Sequence, residues 1–372
     1  MSDISQPTSV RRRFQPGPVT TAVQLGPLAS LAGNWKGSGF NTIWRPDNPA
    51  SQPVGGQTKR FLELNLTSET LDFHVIPGVV PNRGLNPQTD LSLYGLHYLQ
   101  RVTDADAPGF STAGEALHIE PGLFMSVPAS VDPPNAASIV RLASIPHGVS
   151  VLMQGPNPGT TPTLGKPVIP PVYPIAGLPT ITPPAGAPGL GIQPVDIPPP
   201  AGDGLEHVVP EVDITNDVAG SQSNGPYPLE FQGFIDDPNS VLRAAIAGQD
   251  ILGFIAINLS TTGAGSGLGN IPFLGIANPA QANAPTGPAN AFVASAAATF
   301  WIEWVRFPGE EPPVTPPGGP GQRPTDPTIL LIEPFWPVRT FLQLQYSQVV
   351  ILVFNGVLWP HVTVATLTLS AG

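Results

Sequence analysis

Apolar and polar residues alternate along short segments of this chain, and Gly, Pro, Asn or Asp separates one segment from the next. A period of two places neighbouring side chains on opposite faces of a strand, so each segment predicts a half-buried β-strand. Between Lys59 and Leu66, for example, every second residue from Leu62 onward is Leu. We therefore expect an all-β fold, an antiparallel closed β-barrel of about ten strands with long Pro/Gly-rich insertions and one short helix.

The strand-like segments form an N-terminal block from Asn34 to Gln154 and a C-terminal block from Ile251 to Leu369. In the first block, Lys59 to Leu66 and Glu69 to Ile76 predict two separate strands. A closed barrel has no exposed edges, and its first and last strands are neighbours. We expect the strand that begins at Asn34 to pair with a strand from the last thirty residues of the C-terminal block. The segment from Asp236 to Gly248 predicts the one helix.

Proline and glycine define the remaining segments, since the 372 residues include 50 Pro and 40 Gly. Proline has no backbone N–H, so a Pro-rich segment cannot form the interior of a sheet. We predict a single β-barrel domain over residues 31–372, preceded by a poorly structured N-terminal arm over residues 1–30. Within the domain we expect an extended, surface-lying Pro-rich insertion at about 156–205 and a Gly/Ala-rich loop at about 261–290.

Charge and composition exclude several classes of partner. Fifteen Lys and Arg residues against 26 Asp and Glu give a net charge of −11, which repels nucleic acid and acidic lipid. The apolar runs are far shorter than the roughly 20 residues of a membrane helix, so we expect a soluble protein without membrane insertion. Arg11 to Phe14 is similar to part of a twin-arginine signal, but no apolar segment follows, and we expect a cytoplasmic location. Homo-oligomerisation stays open.

A sequence motif at the start of the first strand adds a family resemblance. In Gly33-Asn34-Trp35-Lys36-Gly37-Ser38-Gly39, the Trp can plug a barrel end and the glycines permit strand coiling and close backbone approach. This heptad resembles the G-x-W-x-G-x-G signature of nitrobindins, small haem-binding β-barrels of calycin type related in shape to fatty-acid-binding proteins. The stretch from Gly114 to Phe124 resembles that family's G-E-x-x-H-x-E-x-G-x-[FY]. Pro360-His361-Val362 resembles its P-H-L, and the resemblance covers little more than half of the chain.

The resemblance implies that the barrel mouth holds one haem b. It implies His361 as the proximal iron ligand, with Trp359 beside it in the haem-binding segment, and His118 as the distal catalytic group. A distal His can donate a proton to a bound peroxide or peroxynitrite or remove one from it, so the resemblance also implies peroxidase-like or peroxynitrite chemistry. The chain contains no Cys, and neutral imidazole is then the natural fifth ligand of haem iron.

The residues alone leave other interpretations open. His361 equally fits a core His bonded to a carbonyl, and His118 and Glu120 share a strand face that is either lumenal or solvated. The alternatives to haem binding are a haem-free carrier of a lipid or other small apolar ligand, and a structural or interaction protein. We assign no role to His74, His147 or His207. The sequence contains no H-E-x-x-H, P-loop or G-x-S-x-G motif.

Overall fold

Ten long strands close into one antiparallel β-barrel, as the alternating segments predict. The structure is a computed structural model that describes residues 18–46, 60–84, 89–105, 114, 116–132, 134–145, 149–172, 231–261, 292–309, 336, 338–354 and 357–370. In chain order the strands are β1 (Gly33–Pro46), β2 (Arg60–Val75), β3 (Val80–Asn82), β4 (Leu91–Asp104), β5 (Ala116–Val127), β6 (Ser130–Val131), β7 (Pro134–Asn135), β8 (Ser138–Ile145), β9 (Val149–Pro156), β10 (Thr163–Leu164), β11 (Ile251–Ser260), β12 (Phe292–Arg306), β13 (Thr340–Phe354) and β14 (Val357–Leu369).

The strand order around the barrel is β1, β2, β4, β5, β8, β9, β11, β12, β13 and β14. β14 returns to β1, with Leu369 opposite Trp35. β9 meets β11 where Gln154 lies opposite Ser260. The prediction that the first strand pairs with a strand of the C-terminal block is confirmed, and closure removes the open edges at which strands of other chains could add.

β2 differs from the sequence expectation because it is one strand of 16 residues rather than two. Thr67 and Ser68, which join the two predicted halves, stay paired with β1 without a break. Neither is Gly or Pro, and Thr is compatible with an extended backbone, so nothing local interrupts the ladder. The long β2 crosses the full barrel wall.

The described residues contain three α-helices, whereas the sequence predicts one. They are α1 (Pro18–Leu25), α2 (Phe231–Asp236) and α3 (Asn239–Ala245), and a 3-10 helix over Gly26–Leu31 follows α1. α3 lies within the predicted helical segment. α1 and α2 lie among prolines and glycines that predict turns and loops, so no helix was predicted there.

The N-terminal segment closes one end of the barrel. Leu25, Leu28 and Leu31 are buried in the barrel core, so the expected unstructured arm is wrong from Pro18 onward, and residues 1–17 lie outside the described part. Trp35 is also buried, and its indole Nε1 donates a hydrogen bond of 2.7 Å to the carbonyl of Leu31. We call this end the plugged end. The opposite end, which we call the far end, is where β1 ends and where β2, β5 and β14 begin.

The two glycines after Trp35 allow β14 to approach β1 closely. A Cβ added at Gly37 would lie 2.0 Å from the carbonyl oxygen of Thr366, and one added at Gly39 would lie 2.2 Å from that of Val364. No other residue could occupy these positions without moving the backbone. The role that the sequence motif suggests for its glycines therefore agrees with the geometry.

The outside of the barrel carries a second apolar cluster beneath α2 and α3. Phe231 and Leu242 from these helices pack with Phe40 and Val364 from the outer faces of β1 and β14. Residues 157–172, in the first part of the Pro-rich insertion, contain no helix and no strand other than β10, and Ile169 joins this cluster. Residues 173–230 of the insertion region and 262–291 of the Gly/Ala-rich loop lie outside the described residues.

Candidate functional site

Ionisable and polar side chains occupy the middle of the lumen, where small barrels usually hold apolar residues. They form two neighbouring groups, and each group includes one residue of β4 and one of β13. The arginine cluster consists of Tyr98, His118, Glu120, Arg141 and Gln348. The Glu69 cluster consists of Thr67, Glu69, Gln100 and Tyr346.

A buried ion pair is the centre of the arginine cluster. Glu120 is 1% exposed, and the guanidinium of Arg141 and the hydroxyl of Tyr98 both donate to its Oε1. Burial alone would raise the pKa of Glu120. The charge of Arg141, with a smaller contribution from His118, outweighs burial and lowers the pKa to about 2. Glu120 is therefore ionised at neutral pH.

Aromatic rings enclose the guanidinium of Arg141. Its central carbon lies 5.7 Å from the ring centroid of Tyr98, 5.8 Å from that of Phe124 and 5.4 Å from that of Phe300. Its Nε donates a hydrogen bond of 2.9 Å to the Tyr98 hydroxyl. Ring faces attract cations, so these rings and Glu120 together compensate the loss of water around the charge.

The Glu69 cluster holds a second buried carboxyl, which among the described residues has no cationic partner in hydrogen-bond contact. Tyr346 donates to its Oε2 at 2.6 Å, Gln100 donates to the same oxygen at 3.3 Å, and Thr67 donates to Oε1 at 3.1 Å. Burial raises the pKa of Glu69, and these three hydrogen bonds offset the effect only in part. The carboxyls of Glu69 and Glu120 thus have opposite pKa shifts.

His118 lies on the lumenal face of β5 and belongs to the arginine cluster. Its Nε2 is 3.3 Å from Oε2 of Glu120, and the residue is partly buried. An ionised Glu120 favours the tautomer that carries its proton on Nε2, which leaves Nδ1 as a proton acceptor. Of the two orientations that the sequence leaves open for His118 and Glu120, the structure has the lumenal one.

His361 also faces the lumen, from β14. His361 and Ala365 are four residues apart on one strand, so they share a face, and Ala365 belongs to the core. His361 also lies opposite Val350 of β13, which belongs to the same core. Its side chain is partly buried. His361 is near the start of β14, as His118 is near the start of β5, so both histidines lie towards the far end.

The arginine cluster connects the walls that carry the two histidines. Arg141 donates to the side-chain oxygen of Gln348, which lies opposite Thr363, two residues from His361. The third residue that the resemblance implicates, Trp359, belongs to β14, but its side chain lies outside the described part. The structure therefore places His118 and His361 at one end of one lumen.

Two asparagines next to His361 have unsatisfied oxygens. Asn41 and Asn65 lie opposite each other on β1 and β2, and Asn41 also lies opposite Thr363. They are 6% and 4% exposed, and neither Oδ1 has a hydrogen-bond partner among the described residues. A buried acceptor without a donor costs about 1–3 kcal/mol. Such groups in a lumen are available to a bound molecule.

Replacing Asn41 by Leu should raise the free energy of unfolding of the ligand-free protein by about 1 kcal/mol, because the change removes an unsatisfied acceptor at similar volume. Urea unfolding followed by tryptophan fluorescence measures it. Gln100→Leu is the matched control, since that lumenal amide bonds both Glu69 and Tyr346 and its loss should destabilise. A comparable loss of stability in both variants would show that Asn41 is satisfied without a ligand.

The middle of the lumen is nearly filled. A cavity of about 10 Å³ lies between the two clusters, which is room for about one water molecule. Its lining residues are Leu71, Tyr98, Gln100, Phe124, Arg141, Phe300 and Tyr346. A larger ligand would have to bind nearer the far end.

Comparison of the chain with models of known protein families, with curated proteins and with solved structures finds no match. Within the part of the chain that the structure describes, no helix is long and apolar enough to cross a membrane. No group of three or more His, Asp or Glu side chains among the described residues is arranged to hold a metal ion. An axial ligand to haem needs only one such side chain.

Proposed function

We propose that the barrel binds haem b at the far end of its lumen, with His361 as the axial iron ligand. The observation that carries the proposal is the lumenal position of His361 near the start of β14, within a closed ten-strand barrel. The sequence motif around Pro360 and His361 resembles the haem-ligand motif of nitrobindins. The closed barrel is compatible with a fold of calycin type.

The residues around His361 fit a haem group in two respects. Val350, opposite His361, and Ala365 give apolar contact on its wall, and an apolar macrocycle gains most of its affinity from such contact. Asn41 and Asn65 supply side-chain amides that can turn either their oxygens or their N–H groups towards polar substituents, such as propionates. The filled middle of the lumen restricts the macrocycle to the far end.

Bound haem would supply the iron at which peroxide or peroxynitrite is activated. The protein would supply His118 as the nearby proton carrier. Glu120 stays ionised beside Arg141 and fixes the imidazole tautomer, so Nδ1 of His118 can accept a proton and return it. Peroxidase-like or peroxynitrite chemistry is therefore the activity that we propose for the haem-bound protein.

Titration of the purified protein with haemin tests the axial ligand. The wild type should develop a Soret band at one equivalent, and His361→Ala should lose or shift that band and release haem faster, since the axial bond is gone. Added imidazole should restore the band in His361→Ala by occupying the same coordination position. His118→Ala should keep the band and lower peroxide turnover.

His74→Ala is the matched control, because His74 is exposed on the outer wall and should leave the Soret band unchanged. A wild type without a Soret band, or a His361→Ala variant with an unchanged one, contradicts the proposal. If mass spectrometry of solvent extracts then reveals a lipid, the barrel is a haem-free apolar carrier. Its ligand would likewise have to lie towards the far end.

A further inference from the structure

Two histidines form a stacked pair on the outside of the barrel, away from the lumen. His74 of β2 lies directly opposite His97 of β4, and both side chains are exposed. Their ring centroids are 5.0 Å apart and the ring planes are inclined by 24°. Their strand neighbours Phe73 and Tyr98 face the lumen, which fixes both histidines on the outer face.

We propose that His74 and His97 form a binding site for a divalent late transition metal, Cu²⁺, Ni²⁺ or Zn²⁺. The site does not depend on haem binding. Direct cross-strand partners have Cβ atoms about 4.5–5.5 Å apart, and the β2–β4 ladder pairs both residues, His97 within β4 and His74 one residue before the end of β2. The backbone thus brings the two imidazoles together before any ion arrives.

The ring geometry suits two ligands of one ion. Zinc–imidazole bonds of about 2.0–2.1 Å place two nitrogens of a tetrahedral site about 3.3 Å apart. Rings whose centroids are 5.0 Å apart reach that separation by rotating about their side-chain bonds, without backbone movement. Both rings are exposed, so a hydrated ion can approach them from solvent.

The ligand type selects the metal. Imidazole suits Zn²⁺, Ni²⁺ and Cu²⁺, and affinity for such sites is greatest for Cu²⁺, whereas Mg²⁺ and Ca²⁺ prefer oxygen. Asp72 lies two residues before His74 on the same face, but its carboxylate bonds Arg101 at 2.9 Å. Water would therefore complete the coordination. The net charge of −11 also favours cations near the surface.

Isothermal titration of the untagged full chain with CuCl₂, and separately with ZnCl₂, tests the site. We expect one high-affinity equivalent in the wild type. His74→Ala and His97→Ala should each weaken binding about tenfold or more, since losing even a hydrogen-bond partner of a metal ligand commonly costs that much. Each single variant keeps one imidazole, which cannot chelate the ion. The double variant should therefore bind about as weakly as the weaker single variant.

Electron paramagnetic resonance of the Cu²⁺ complex supplies a second, independent measurement. The wild type should show coupling to two imidazole nitrogens, and His97→Ala should show coupling to one or none. His361→Ala is the control, since it removes a lumenal imidazole and should leave both measurements unchanged. Equal Cu²⁺ affinity in the wild type and both single variants, or a spectrum without imidazole coupling, overturns the proposal.

Discussion

Replacing Arg141 by Leu should lower the free energy of unfolding by about 3–5 kcal/mol, because it leaves the carboxylate of Glu120 buried without a counter-charge. Glu120 is 1% exposed, and the cavity in the middle of the lumen has a volume of only about 10 Å³. The variant also removes the donor to Tyr98 and a cation from between aromatic rings. Urea unfolding at neutral pH, followed by circular dichroism, measures the loss.

A second ion pair provides the control. Arg101 bonds Asp72 at 2.9 Å on the outer wall, where its side chain is half exposed, so Arg101→Leu should cost less than about 1 kcal/mol. In the double variant Arg141→Leu/Glu120→Leu, both charges are gone, and much of the lost stability should return. If Arg141→Leu lowers the free energy of unfolding no more than Arg101→Leu does, the buried carboxylate of Glu120 does not need Arg141 and the prediction is wrong.

The sequence predicted the barrel because its signal is local. Alternation such as that of Leu62, Leu64 and Leu66 with polar residues is visible without knowledge of the partner strand, and closure follows from the need to remove edges. Where the signal was weak, the prediction failed. Thr67 and Ser68 resemble a turn only by composition, and α1 is recognisable only from the core that its leucines join.

The site was predictable only where a motif marked it. The resemblance singled out His118 and His361, and both face the lumen. Nothing in the sequence singled out Glu69 or Arg141. Each is a lone charged residue in a β-strand segment, which ordinarily indicates a solvated face. Their partners lie on strands far away in the chain, so only the register of the closed barrel brings these groups together.

Another buried carboxyl lies outside the lumen, under the turn that follows α3. Glu303 on the outer face of β12 is fully buried, and Gln343 donates to its Oε2 at 2.7 Å. Gln343 also bonds Gln249, while Oε1 of Glu303 has no partner among the described residues. Burial raises the pKa of Glu303 to about 7, and the hydrogen bond from Gln343 and the charge of Lys166 offset the effect of burial only in part.

Glu303→Gln should therefore stabilise the protein at pH 8 by about 3 kcal/mol and have little effect near pH 4.5. The pKa of Glu303 is about 7 in the folded state against 4.5 in the unfolded chain, so between these pH values the folded protein retains a proton that the unfolded chain has lost. The contribution of Glu303 to the free energy of unfolding is most favourable below its pKa in the unfolded chain. It declines as pH rises to its pKa in the folded state, by about 1.4 kcal/mol per pH unit. Urea unfolding of both proteins across this range measures the difference, with Asp132→Asn, an exposed carboxylate in a turn, as the control. A neutral amide can replace only the protonated carboxyl without cost. If the two proteins differ in free energy of unfolding by the same amount at pH 4.5 and pH 8, Glu303 does not titrate in this range and the prediction is wrong.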